Sequence, residues 1–312
     1  MKILALGGGV GGAKLSFGLA QVLSPKDLTM VVNTGDDFEH MGLAISPDLD
    51  TVCYTLAGME EPRTGWGLAG DTFQLLDEIF DLGGPGWFKI GDKDFATHIE
   101  RTRRLNEGQT LSGITRAFCR SWGIKHRILP MSDDPVRTIV DTVEYGELSF
   151  QEYFVLHDCK PKVRGFKFSG LETASPAPGV LESIQLADAV IICPSNPLVS
   201  IDPILSIRGM RSGLKNKLVV AVSPIIGGRT IKGPAAKMYS ELGIQPSTLA
   251  IVKHYSGILN GFILDRVDSG FENDIRQLGI MTLTVDILMR SPEERHRLAQ
   301  DVLNFIQTFQ TL

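Results

Sequence analysis

The chain opens with a short apolar run, Lys2 to Leu6, that stops at Gly7-Gly8-Gly9-Val10-Gly11-Gly12-Ala13-Lys14. Few features restrict a fold as much as a buried run ending in a glycine loop. The run suits a strand covered on both faces, as in a parallel sheet. After the loop, Leu15, Leu19, Val22 and Leu23 recur at helical spacing until Ser24-Pro25 ends the pattern. Thr29 to Val32 is a second β-rich run, ending at Asn33-Thr34-Gly35-Asp36-Asp37. A strand, helix and strand in this order predict an α/β fold. The architecture expected is a Rossmann-like, doubly wound, mostly parallel sheet.

The same rhythm returns in the second half. Ala189–Cys193, Leu218–Val222, Leu249–Val252 and Met281–Val285 read as further strands. Two of these runs lead into Pro194-Ser195-Asn196-Pro197 and Ser223-Pro224, turns expected to face the crevice of the glycine loop. Ser291-Pro292-Glu293-Glu294 opens a terminal helix whose apolar face is Leu298, Val302, Phe305 and Ile306. The stretch from 51 to 180 lacks this rhythm and holds Trp66, Trp87 and Trp122, with a hairpin expected around Tyr145-Gly146-Glu147. Residues 1–50 and 181–312 are therefore expected to form the core. Residues 51–180 are expected to form a mainly helical inserted subdomain that covers a second substrate site.

The 312 residues carry a net charge of −5, which gives no reason to expect nucleic acid or an anionic membrane as partner. No apolar stretch approaches bilayer length, and the apolar start is too short for a signal peptide. The cysteines, Cys53, Cys119, Cys159 and Cys193, form no C-x-x-C pair. Disulfides and a structural zinc site are not expected, and a cytoplasmic location fits.

Glycines in the loop permit positive φ and close approach of backbone to ligand, and a helix N-terminus offers free N–H groups to an anion. Gly8, Gly9, Gly11, Gly12 and Lys14 are accordingly expected to hold phosphate. A purely structural glycine turn is the alternative. Gly7, Gly9 and Gly12 satisfy G-x-G-x-x-G, but Asn33 stands where a nicotinamide enzyme usually has an acidic residue for the ribose. Ala13 and Leu15 depart from the Walker A pattern.

Four aspartates follow the second strand: Asp36, Asp37, Asp48 and Asp50. Carboxylates beside a phosphate cradle repel it unless a divalent cation intervenes, so Mg²⁺ is expected. Asp37 and Asp50 are the expected metal or substrate contacts, and Asp36 and Asp48 read more readily as caps. If Ser46 to Thr51 is extended, Asp48 and Asp50 share one side. Asp92, Asp94 and His98 form another polar group, as do Asp133 and Asp134. His98 reads equally as a ligand contact or a satisfied helix residue. No Ser-His-Asp arrangement or H-E-x-x-H appears.

Taken in order, GGGVGGAK, VVNTGDD, SPDLDTVCYTL, IGDKDFATH, LPMSDDPVRT, CPSNPLVSIDPIL and VSPIIGGRTIKGPAAK resemble the 2-phospho-L-lactate transferase family of coenzyme F-420 biosynthesis. The resemblance runs nearly the whole chain. It implies a homodimeric, Mg²⁺-dependent transferase with a Rossmann-like core and an inserted subdomain. The reaction implied moves a phospho-acid group from a guanosine diphosphate-linked donor to the ribityl hydroxyl of the deazaflavin Fo, releasing GMP. By the same resemblance, Asp50 and Lys89 correspond to deazaflavin contacts, with Thr51 and His98 in the same acceptor segments. Asp50 and Asp37 become the expected catalytic pair and metal ligands. Ser195, Asn196 and Ser223 join the glycine loop on the nucleotide side. Trp66, Trp87 or Phe88 could pack on the deazaflavin rings, or serve as core. A weaker resemblance, to regulatory proteins of the gluconeogenesis-factor type, leaves a non-catalytic nucleotide sensor as the alternative.

Overall fold

The computed structural model describes residues 1–309. Seven parallel strands form the central sheet. They are β1 (Ile3–Gly7), β2 (Leu28–Val32), β3 (Arg127–Pro130), β4 (Ala189–Ile192), β5 (Leu218–Val222), β6 (Gly261–Asp265) and β7 (Met281–Val285). Their order across the sheet is β7-β6-β5-β4-β1-β2-β3. The expected doubly wound α/β fold is therefore present. Strand order reverses between β1 and β4, and in such sheets ligands bind in the crevice at that reversal.

Side chains alternate across β1, which divides the core in two. Leu4 and Leu6 enter one cluster with Val31, Val190 and Ile192, while Ile3 and Ala5 enter the other with Met30, Val32 and Ile191. The second cluster is closed by helix α1 (Gly9–Val22), helix α2 (Pro47–Leu56) and the terminal helix Pro292–Thr308. Ser291 caps that last helix by accepting from Glu294 N, as its opening sequence predicts.

The middle segment contains helices α3 (Gln74–Asp81), α4 (Asp92–Asn106) and α5 (Leu111–Ser121). It also contains an antiparallel sheet of Gly146–Ser149, Arg137–Thr142 and Val163–Ser169, whose first two strands form the hairpin around Tyr145. β3 lies inside this same segment, yet it completes the edge of the central sheet by pairing with β2. The chain thus returns to the core between residues 51 and 180.

Two local expectations need correcting. Leu249–Val252 is not a strand: it lies in the helix Thr248–His254, where the Ser247 side chain accepts from Ala250 N at 3.1 Å. A four-residue apolar run carries no period that separates strand from helix, and the cap decides. The sheet position belongs instead to β6. The segment holding Asp48 and Asp50 is not extended either, because Pro47 starts α2 there.

Candidate active site

The loop after β1 is shaped by contacts that leave no room for side chains. Gly9 adopts φ +63°, in the left-handed region. A Cβ at Gly11 would overlap the Pro194 carbonyl oxygen, and one at Gly12 would lie 2.7 Å from Ser195 Oγ. Ser195 clasps the loop, its Oγ accepting from Gly8 N at 3.1 Å and donating to Gly8 O at 2.8 Å. Gly8, at the N-cap position of α1, has no side chain to cap it. The Gly9 amide is taken by Asp48, and the amides that follow it in the first turn carry the positive end of the helix dipole.

Beside this helix end lies an open cleft of about 140 Å³. Gly11, Lys14, Asn196 and Ser223 line it, together with Lys232 and Arg290. Gly8, Gly9, Gly12 and Ser195 build the wall and floor of the loop. Ser223 Oγ is bonded within its own turn, to Ile225 O at 2.7 Å, and Asn196 Oδ1 accepts from Leu198 N at 3.1 Å, so both side chains shape the turns that face the cleft. Burial lowers the Lys14 pKa, and the nearby Arg295 and Lys232 lower it further. Arg290 and Arg295 are paired with Glu294 and Glu60, which leaves Lys14 and Lys232 as the cations beside the helix N-terminus that favour an anion.

The aspartates assemble on the other side of the loop. Asp48 and Asp50 are two residues apart on α2, about 200° around the helix axis, so they face different neighbours. Asp48 sits against the glycine loop, accepting from Asn33 Nδ2 at 2.9 Å, in the space a Cβ on Gly8 would need. Burial pushes its carboxyl up to about 6, against hydrogen bonds from Asn33 and the Gly9 backbone. Asp36 is raised well above the carboxylate range by burial and by Asp48. Burial also raises Asp37, to about 7, and Ser46 Oγ donates to it at 2.8 Å. Neither Asp36 nor Asp48 is the N-cap residue of a helix: Ser46 holds that position in α2 and spends its hydroxyl on Asp37, Asp36 lies in a turn, and Asp48 instead takes the Gly9 amide at the start of α1.

Asp50 meets α4. Its Oδ1 is paired with Arg101, an arginine only 2% exposed that sequence reasoning missed among the charges of that helix. Arg101 also reaches His98 Nδ1 at 3.2 Å and Ala44 O at 3.3 Å. A guanidinium can only donate, so Nδ1 must be the acceptor and the imidazole proton lies on Nε2, 3.5 Å from Asp94 Oδ1. This tautomer leaves Asp50 Oδ2, 3.7 Å from Nδ1, without a donor. Asp94 is held below the ordinary carboxylate range despite its burial, with His98 and Tyr54 OH (2.7 Å) as partners. Thr51 is buried beside Asp50. Lys89 is exposed, one residue beyond Phe88.

Phe38, His40, Trp87 and Phe88 stack edge to edge, with centroids 4.8 Å apart for Phe38–Phe88 and 4.9 Å for His40–Trp87. His40 and His98 are close enough to lower the His40 pKa, after burial has done most of it. The ring cluster therefore borders the Asp50 group, whereas Trp66 is 43% exposed in a different loop. Asp133 serves the fold, its carboxylate accepting from Ser112 N at 2.6 Å and from Ser112 Oγ at 2.8 Å at the start of α5.

The buried side-chain atoms without a hydrogen-bond partner fall largely here. They include Thr34 Oγ1, Asp36 Oδ1, Asp37 Oδ1, His40 Nε2, Asp50 Oδ2, His98 Nε2 and Thr138 Oγ1. Such atoms are costly unless something pairs with them. The carboxylate oxygens suit a hard divalent cation, and Mg²⁺ takes one or two carboxylates with phosphate oxygens and water. Among the described residues no cluster of three or more His, Cys, Asp or Glu forms an all-protein metal cage, which Mg²⁺ does not need. Asp37 has the freer carboxylate of the expected pair, since Asp50 is committed to Arg101.

Comparison with known proteins identifies the family of the chain. The family model of the 2-phospho-L-lactate transferase CofD matches residues 3–291. The chain belongs to this family. Among its relatives, the phosphoenolpyruvate transferase of Streptomyces griseus is 41% identical, covering 98% of this chain and 99% of the relative. The 2-phospho-L-lactate transferase of Methanosarcina mazei is 40% identical, covering 96% and 99%. A crystal structure of a UPF0052-family protein from Bacillus halodurans superposes with a TM-score of 0.64 at 15% identity, covering 97% of this chain and 99% of that one. That likeness shows the shared fold. Membership of the CofD family makes the protein a transferase. No helix among the described residues is long and apolar enough to cross a membrane.

Proposed function

We propose that the protein moves a phospho-acid group from a guanosine diphosphate-linked donor to the ribityl hydroxyl of the deazaflavin Fo, releasing GMP, in coenzyme F-420 biosynthesis. In the names of the relatives the acid is phosphoenolpyruvate or 2-phospho-L-lactate. The supporting observation is a single juxtaposition. An open helix N-terminus with Lys14 lies back to back with a group of buried carboxylates, joined by the Gly8–Asp48–Asn33 contacts.

In this reading the acceptor oxygen forms a bond to the phosphorus that carries the acid. The bond from that phosphorus to the GMP oxygen breaks, and the hydroxyl proton leaves to a carboxylate. Reactions of this kind need alignment and neutralisation of charge more than covalent help from protein. The glycine-loop amides and Lys14 hold the diphosphate and the departing GMP. Asp50 Oδ2 is the unpaired acceptor suited to orient the attacking hydroxyl, with Thr51, His98 and Lys89 on the acceptor side. The Phe38–Trp87–Phe88 rings offer the apolar surface for the deazaflavin. Asp37, with an oxygen of Asp50, would hold Mg²⁺, which supplies charge neutralisation at the diphosphate. We assign a cytoplasmic homodimer to the working protein.

The test is direct: incubate the protein with Mg²⁺, Fo and each guanylyl-activated acid, and measure GMP and the phosphorylated deazaflavin. Asp50→Asn should cut turnover about 100-fold or more while nucleotide affinity stays within about 2-fold. Nucleotide binding without GMP release from any donor would leave a sensor and end the transferase assignment to Fo.

A second result is expected from pH. Asp37 is raised to about 7 by burial. A carboxyl raised above its unfolded value costs stability once ionised, so the cation-free fold should grow more stable as pH falls from 8 towards 5. Mg²⁺ must displace that proton. The Mg²⁺-induced rise in Tm should therefore be larger at pH 8 than at pH 6, and Asp37→Asn should remove the difference. Equal rises at both pH values would take Asp37 out of the cation site.

A further inference from the structure

A second cavity, of about 230 Å³, lies between the loop Gly35–Glu39 and the antiparallel sheet, with Arg137, Thr138, Ile139 and Phe150 among its walls. Its chemistry is unusual for a structural void. Arg137 is half-buried, and its bonded partner is the carbonyl of its own neighbour Val136, at 2.9 Å. Among the described residues no carboxylate lies within ion-pair distance of it, although its charge acts on nearby Asp37, lowering that carboxyl's pKa against burial. Most of its five N–H donors are thus unspent. Thr138 Oγ1, Asp36 Oδ1 and Asp37 Oδ1 are buried here without a well-formed hydrogen bond, although Thr138 lies near enough to the Asp36 carboxyl to act on it. Ile139 and Phe150 add apolar surface sized for a short carbon skeleton.

The cavity is also linked to the glycine loop by a short chain of contacts. Asp48 lies against Gly8 and bonds Asn33 at 2.9 Å, Asn33 Oδ1 accepts from Gly35 N at 2.8 Å, and Gly35 O accepts from Thr138 N at 2.7 Å. Buried Asn33 and Asp48 thus form the packed wall between the glycine loop and the loop that lines the cavity.

We propose that this cavity is the subsite for the acid portion of the donor, with the Arg137 guanidinium taking its carboxylate and Thr138 Oγ1 donating to one of the same oxygens. The proposal rests on the transfer reaction described above, and it makes Arg137 the residue that requires the transferred group to be an acid. A planar guanidinium matches a carboxylate through two parallel hydrogen bonds. The neutral polyol of the acceptor would leave the half-buried charge unpaired.

The test separates the acid from the nucleotide. Wild-type, Arg137→Met and Arg137→Lys proteins are titrated calorimetrically with GDP, which lacks the acid, and with phosphoenolpyruvate and 2-phospholactate alone. The KM values for donor and for Fo are then measured. Arg137→Met should bind GDP like wild type, which also shows that it is folded. Its affinity for the acids should fall, and its KM for the donor rise, by about 10- to 100-fold, the size of a charge-assisted hydrogen bond, with KM for Fo unchanged. Arg137→Lys should fall between. Unaltered acid affinity in Arg137→Met, or a rise in KM for Fo instead, overturns the subsite. If wild type binds the acids through Arg137 but neither binds GDP nor releases GMP, the subsite stands and the transfer reaction falls. If wild type releases GMP and Arg137→Met does so with identical constants, the subsite alone falls.

Discussion

Gly8→Ala should reduce turnover by about 100-fold or more while leaving the protein folded. A Cβ at this position would overlap the Asp48 carboxylate and approach Asn33 Cβ to 3.1 Å. Asp48 cannot withdraw without breaking its 2.9 Å bond from Asn33, so the strain falls on the loop and moves the amides that face the phosphate. Losing one well-aimed donor to developing charge costs about two to three orders of magnitude in other enzymes. Here several amides shift together. The strain has a specific relief: in the Gly8→Ala, Asp48→Ala double variant the loop should return towards its native path. Nucleotide affinity should then recover by about 10-fold over Gly8→Ala alone, measured calorimetrically. Affinities that simply add would show that the Asp48 contact is not what makes glycine necessary.

Arg101→Met should be the most destabilising single change near the site, by about 3–5 kcal/mol, the usual cost of removing one partner of a buried ion pair. Arg101 is 2% exposed and bonds Asp50, His98 and Ala44 O at once. Its loss leaves the Asp50 carboxylate buried without a counter-charge. That carboxyl is already raised by burial, with Arg101 the largest influence pulling it back. The unfolding free energy of Arg101→Met should therefore improve as pH falls, since protonating Asp50 removes the stranded charge. Asp50→Asn in the Arg101→Met background should restore most of the lost stability at pH 8. Denaturant melts of the two singles and the double decide this. A double variant as unstable as the sum of the singles would mean that the packing of the arginine, and not its charge, holds α4 in place.

How much of this could be read from sequence depended on how local the determining physics was. The β1–loop–α1 unit was legible because a strand, a glycine turn and a helical period are each encoded by near neighbours. The terminal helix was legible for the same reason, through Ser291-Pro292-Glu293-Glu294. Leu249–Val252 was misread because its apolar residues are too few to show a period, and Ser247 turns them into a helix. Asp48 and Asp50 were grouped together on an assumed extended backbone, yet Pro47 begins a helix that sends them to different partners. Arg101 was invisible among the charges of Asp92–Asn106, since only the packing of α4 against the Leu43–Ile45 strand and α2 buries it. Arg137 and Thr138 belonged to a recognisable motif, but no spacing indicated that their donors would be left unspent.

The clasp between Gly8 and Ser195 joins residues 187 positions apart. The contact needs β1 and β4, which are distant in sequence, to pair first, so it forms after that long-range pairing and not before. Nucleotide affinity should then appear with the last kinetic phase of refolding, making ligand capture a reporter of finished topology. A chain cut between the glycine segment and the serine segment should recover function when its fragments reassociate, and neither fragment should bind nucleotide alone.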